Sequence, residues 1–135
     1  MISLLSNSSA EVRCYAARAI LLVEKSQGIN IVLSLIEDEE TIVRWDICGL
    51  MHDFGDEQAI DPLIERMKSD PDPQVRATAA YALGGIGSPL AISALQETAR
   101  DDHEVDMHNF SPSDCAKVAL HNIEDKQRSA KKSSG

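Results

Sequence analysis

Aromatic residues are scarce in this chain: two tyrosines, two phenylalanines and one tryptophan make up 4% of its 135 residues. That excludes a core of stacked rings, so the 43% of hydrophobic residues must pack mainly as Leu, Ile, Val and Ala. Cysteine is equally thin, with Cys14, Cys48 and Cys115 and no C-x-x-C pair. An odd count without paired spacing supports neither a disulfide framework nor a zinc ribbon. No run approaches the roughly 20 apolar residues needed to span a bilayer. Residues 1–7 lack the basic region and long apolar stretch of a secretory signal. Positive charge is in the minority: 13 Lys and Arg against 22 Asp and Glu give a net charge of -9. Such a surface repels phosphate backbones, so no nucleic-acid partner is expected. Gly84-Gly85-Ile86-Gly87 is read as a helix stop and not a phosphate loop, because no Lys-Ser or Lys-Thr follows it. The expectation is a reduced, soluble, cytoplasmic domain with no membrane partner and no cofactor.

What the chain does have is an internal repeat. Three Val-Arg dipeptides, at Val12-Arg13, Val43-Arg44 and Val75-Arg76, follow one another at intervals of 31 and 32 residues. Each opens a stretch with small or apolar residues at matching offsets: Ala16, Ala19 and Ile20; Ile47, Leu50 and Met51; Ala79, Ala82 and Leu83. A second pattern precedes each later stretch on helical spacing, as in Ala59-Ile60 with Leu63 and Met67, and Ala91-Ile92 with Leu95. Each unit therefore predicts two amphipathic helices, A and B, joined by short turns. Ser9, Glu40 and Asp72-Pro73 stand where B helices should start, and Gly55 and Gly87 where they should stop. One hairpin cannot cover its own apolar face, so successive hairpins must stack. The predicted fold is an all-α solenoid of about four helical hairpins.

Residues 70–87 carry the motif D-x-x-x-x-V-R-x-x-A-A-x-A-L-G in its clearest form. The pattern resembles the HEAT-like repeats of the phycobilisome-lyase type, over about residues 4–124. In that family the valine and alanines are core, and the arginine pairs with acidic residues in a ladder between repeats. The resemblance implies a structural role for Arg13, Arg44 and Arg76, with Asp38, Asp70 or Asp72 as partners.

The units run at about 1–24, 25–55, 56–87 and 88–124, with residues 125–135 read as a flexible basic tail carrying Lys126, Arg128, Lys131 and Lys132. The first hairpin is incomplete, since Leu4 and Leu5 align with only the last turn of an A helix. Its B-helix face, Val12, Ala16, Ala19, Ile20 and Val23, is expected to drive self-association. In the fourth unit extra residues fall at 102–110, and Pro112-Ser113 replaces Val-Arg after Ser111. His103, Glu104, Asp106 and His108 crowd that insert, but their spacing matches no established zinc motif, and a solvated loop without metal is expected.

Facing positions on each B helix, two, three and six residues beyond the valine, form one strip. They are Cys14, Tyr15 and Arg18; Trp45, Asp46 and Gly49; Ala77, Thr78 and Tyr81. Both tyrosines and the tryptophan fall there, and Tyr, Trp and Arg are the side chains most enriched at binding hot spots. The strip predicts a protein or peptide partner held by Tyr15, Arg18, Trp45, Asp46 and Tyr81, with no catalytic residue. Deoxyhypusine hydroxylase resembles this architecture, and its His-Glu pairs after the repeat arginine hold iron. Here those positions carry Cys14-Tyr15, Trp45-Asp46 and Ala77-Thr78. The alternative implied by the repeat type is a phycobilin lyase or lyase-related subunit. Its cysteines would have to supply a nucleophile, yet they occupy three different offsets in the repeat.

Overall fold

The computed structural model describes residues 2–105 and 107–134. Among them it is helical throughout, without a strand. The α-helices are α1 (Ala10–Val23), α2 (Lys25–Val32), α3 (Thr41–Phe54), α4 (Glu57–Ser69), α5 (Pro73–Ile86), α6 (Ile92–Asp101) and α7 (Pro112–Ser134). Short 3-10 segments, Ile2–Ser6, Leu33–Glu37 and Pro89–Ala91, precede α1, extend α2 and introduce α6. The odd-numbered helices are the B helices. They stack in chain order, α1 on α3, α3 on α5 and α5 on α7, while α2, α4 and α6 form the outer layer. The molecule is an α-solenoid.

Local chemistry sets the helix ends. Asp72 accepts the N–H groups of Gln74 and Val75 at 2.8 and 3.2 Å, ahead of Pro73 in the first turn of α5. Ser9 accepts from Val12 N at 3.4 Å to start α1. Glu40 makes no capping bond of its own at α3; the carboxylate of Asp38 takes the Glu40 N–H instead, at 2.9 Å. At α7, Ser111 and Asp114 exchange bonds, Ser111 Oγ accepting from Asp114 N at 3.1 Å and donating to its carboxylate at 2.9 Å. Each such cap stabilises by about 1 kcal/mol. Only Gly87 of the expected stop motif ends a helix, in the left-handed conformation at φ 75°. Gly84 and Gly85 lie inside α5 and serve packing: a Cβ on Gly84 would stand 2.7 Å from Ala119 Cα in α7. On Gly85 it would stand 2.7 Å from the backbone oxygen of His52 in α3. The core is aliphatic as composition requires, with Ile47, Met51, Leu63, Leu83, Leu95 and Ile123 fully enclosed.

The Val-Arg arginines repeat one arrangement three times. Arg13 donates to both oxygens of Asp38 at 3.0 and 2.9 Å and to the carbonyl of Asn7 at 2.7 Å. Arg44 does the same with Asp70, at 2.7 and 3.3 Å, and with the carbonyl of Asp38 at 2.9 Å. Arg76 reaches Asp102 at 2.7 and 3.4 Å and the carbonyl of Asp70 at 2.8 Å, with Glu104 adding a contact at 3.1 Å. Each guanidinium thus ties the turn before its own helix to the turn that opens the next B helix. Asn7, Asp38 and Asp70 also bend their own turns, accepting the N–H two residues on at 2.9, 2.9 and 3.0 Å. In the fourth unit Ser113 stands at the arginine's place, and its N–H takes the equivalent carbonyl, that of Asp102, at 2.8 Å. Asp72 is not a ladder partner, because its carboxylate is committed to capping α5.

One expectation is corrected: of the basic tail read at residues 125–135, residues 125–134 continue α7, and residue 135 lies outside the described residues. Glu124–Arg128 and His121–Asp125 pair at i,i+4, and Lys126 Nζ donates to the Ile86 carbonyl at 2.9 Å, where α5 ends and its backbone acceptors are free. On the face expected to drive self-association, Ala16 and Ile20 are buried, Val12 and Ala19 half-buried, and Val23 is open. The Ile2–Ser6 segment and α2 pack over α1. No helix is long and apolar enough to cross a membrane among the described residues.

Candidate functional site: a groove across the B helices

The helical offset that buries the valine and alanines turns the intervening positions of α1, α3 and α5 outward. Tyr15, Trp45 and Tyr81 are 70%, 37% and 46% exposed, large values for rings in so aromatic-poor a chain. Three adjoining hollows run along this face, with volumes of about 190, 330 and 230 Å³. The first lies between α1 and α3, lined by Glu11, Cys14, Tyr15, Arg18, Ile42 and Asp46. Arg18 and Asp46 also line the second, together with Trp45, Gly49, Asp53 and Tyr81. Thr78 and Tyr81 pass on into the third, which Ala77, Cys115 and the loop residues His108 and Phe110 complete. Shared walls make the three one groove.

The side chains singled out from the sequence fall together here, but not all as free surface. Arg18 donates to Asp46 across α1 and α3 at 3.5 Å, a long contact, and is itself more than half exposed. Ala77 is buried although its offset faces the strip, in the third unit, where α7 packs on α5 and His108 and Phe110 stand across the same hollow. Two further residues belong to the site. His52 stacks flat on Tyr81, ring centroids 4.0 Å apart and planes within 5°, and so fixes the orientation of that ring. Phe110 brings an exposed ring from the insert to the groove's far end. In the sequence His52 is legible only as a helix end with Asp53, to which it bonds at 3.0 Å. Its position over Gly85 needs the crossing of α3 and α5, which no repeat offset displays.

Two of the three thiols, those of Cys14 and Cys48, are chemically quiet. Burial, with Asp46 beside it, pushes Cys14 up to about 11, and burial pushes Cys48 up to about 12. Both therefore stay protonated at neutral pH, the opposite of what an activated nucleophile requires. Among the described residues no group of three His, Cys, Asp or Glu side chains is placed to hold a metal ion. His103 donates through Nε2 to the Arg100 carbonyl at 2.8 Å, and Glu104 is taken by Arg76. Asp106, the remaining acid of that crowded insert, lies outside the described residues.

Comparison with known proteins places this architecture. A sequence model of HEAT repeats matches residues 1–84 and again residues 42–107. The epoxyqueuosine reductase of Bacillus subtilis (strain 168) is 41% identical over 59 residues, 44% of this chain and 15% of that protein. Human deoxyhypusine hydroxylase, solved in complex with glycerol, superimposes with a TM-score of 0.80 over 96% of this chain and 44% of its own. Its sequence identity is 18%, so that likeness is one of fold. The chain spans less than half the length of either relative.

Proposed function

This chain belongs to the HEAT-repeat family, and we propose that it works as a non-enzymatic scaffold, binding a protein or peptide partner along the B-helix groove. The observation that carries this reading is the exposure of Tyr15, Trp45 and Tyr81 along one groove with walls shared from α1 to α7. Burying such rings on association supplies most of the binding energy at typical interfaces. The ladder arginines are assigned to holding the units in register, which keeps the groove's spacing fixed. A reducing, cytoplasmic setting suits the three free cysteines. Both relatives are enzymes by name; the match to the reductase covers 15% of that protein, and the likeness to the hydroxylase is one of fold.

The repeat motif at residues 70–87 still favours the phycobilisome-lyase type within the family. A lyase reading finds less support, since the thiols of Cys14 and Cys48 are held protonated. The test uses affinity capture from an extract of the source cells with wild-type chain, Tyr15→Ala and Trp45→Ala. Tyr15 is the more exposed ring, so its removal leaves the thermal melt unchanged, while Trp45→Ala costs about 1 kcal/mol. Both variants should lose the captured protein. Retention of the same partner by two folded variants refutes the groove, and co-elution of a coloured bilin refutes the scaffold.

A further inference from the structure

The groove's chemistry also says what kind of partner fits it, granted the binding reading above. We infer that the occupant is an extended peptide segment carrying basic side chains. The three hollows follow one another from α1 to α7 through the walls they share, and packed helix axes stand roughly 8–10 Å apart. Their combined run is then on the order of 27 Å, which about eight residues cover in extended form at ~3.3 Å each.

Charge selects the side chains. Glu11, Asp46 and Asp53 line the first two hollows against the single cation Arg18. The chain as a whole carries -9, so the surrounding field has the same sign. Arg18 holds Asp46 only at 3.5 Å and is open to solvent, so an incoming guanidinium can take the carboxylate as Arg18 swings aside. Tyr15 and Trp45 stand beside these acids with open ring surface, the arrangement that favours a cation over an aromatic face. Tyr81 differs, having one face already covered by His52. The basic positions of the ligand are therefore assigned to the α1–α3 half of the groove.

The test uses the full chain and three fluorescein-labelled octapeptides, (Ser-Arg)4, (Ser-Gly)4 and (Ser-Glu)4, read by anisotropy at physiological salt. Trp45 is the chain's one tryptophan, and its emission in parallel titrations with unlabelled peptide reports whether binding is local. The arginine peptide should bind one to one, at least tenfold more tightly than the other two, and perturb Trp45 emission. Asp46→Asn and Glu11→Gln should each weaken it fivefold or more, while Glu57→Gln on α4, outside the groove, leaves it within twofold. Equal losses from all three variants would mean a diffuse field effect and overturn the assignment. Tighter binding of the neutral or acidic peptide, again lost in Trp45→Ala, would overturn the basic class while leaving the groove itself standing. A salt-sensitive dimer abolished by Lys131→Ser with Lys132→Ser would overturn it too, by making the basic end of α7 from a second copy the occupant.

Discussion

Asp70 gathers the partners of two repeats on one carboxylate. Its side chain is fully enclosed, and it accepts from Arg44 at 2.7 and 3.3 Å, from Arg66 at 3.3 Å and from the N–H of Asp72 at 3.0 Å. The hydrogen bond to Asp70 holds the Arg44 guanidinium more firmly charged than usual. Removing one partner of such a pair leaves a buried charge unanswered, which costs about 3–5 kcal/mol. Asp70→Ala should therefore lower the unfolding free energy by about that amount in a urea melt. Arg100→Ala, whose exposed pair with Asp101 is worth less than about 1 kcal/mol, serves as the control. Equal effects from the two would mean that the ladder does not hold the repeats together. This part of the molecule is largely legible in the sequence, where Asp38, Asp70 and Asp102 recur at intervals of 32 residues, within one residue of the Val-Arg spacing. Asp102 is the hard rung to see, because it reads as the first residue of an insert and not as the last step of the ladder. Asp72 misleads for the opposite reason, since an acid close to the motif can serve a cap as well as a pair.

At the scale of elements, α5 depends on having no side chain at Gly84. A Cβ there would meet Ala119 Cα at 2.7 Å and its Cβ at 2.8 Å, and the first of these belongs to the backbone of α7. The helices would have to part. Overpacking of this kind costs about 1–3 kcal/mol, offset by up to ~1 kcal/mol from the better helix propensity of alanine. Gly84→Ala should thus destabilise by about 1–2 kcal/mol in a urea melt. Adding Ala119→Gly should recover only part of it, because the clash with the α7 backbone persists once the side chain is gone. A stabilised single variant would show that α5 and α7 separate freely. The helices themselves are readable from apolar period and caps, but this close approach is not, since Gly-Gly near a helix end looks like a stop. The length of α7 is hidden for a related reason. Residues 124–132 are almost all polar and exposed, and one decisive hydrogen bond, Lys126 on the Ile86 carbonyl, spans 40 residues of sequence.

Over the whole molecule, stability should be graded and not uniform. In a stacked array each hairpin touches only its neighbours, so local opening is set by how many neighbours cover it. α5 is packed extensively on both sides, by α3 and α7, whereas α1 rests on α3 more lightly and has the Ile2–Ser6 segment on its other flank. Gly28 brings α2 against Ile20, but the outer surface of α1 near its end leaves Leu22 and Val23 open. Native-state hydrogen exchange should accordingly show the slowest amides in α5 and the adjoining turns of α3 and, apart from the exposed end of α7, the fastest helical amides in α1 and α2. The groove crosses this gradient, beginning on the least stable helix and ending on the most stable pair. A ligand that spans it must therefore tie α1 to α3, and bound (Ser-Arg)4 should slow exchange in α1 more than in α5. Uniform protection along the chain, or a ligand effect confined to α5 and α7, would mean that the first hairpin is no weaker than the rest or takes no part in binding.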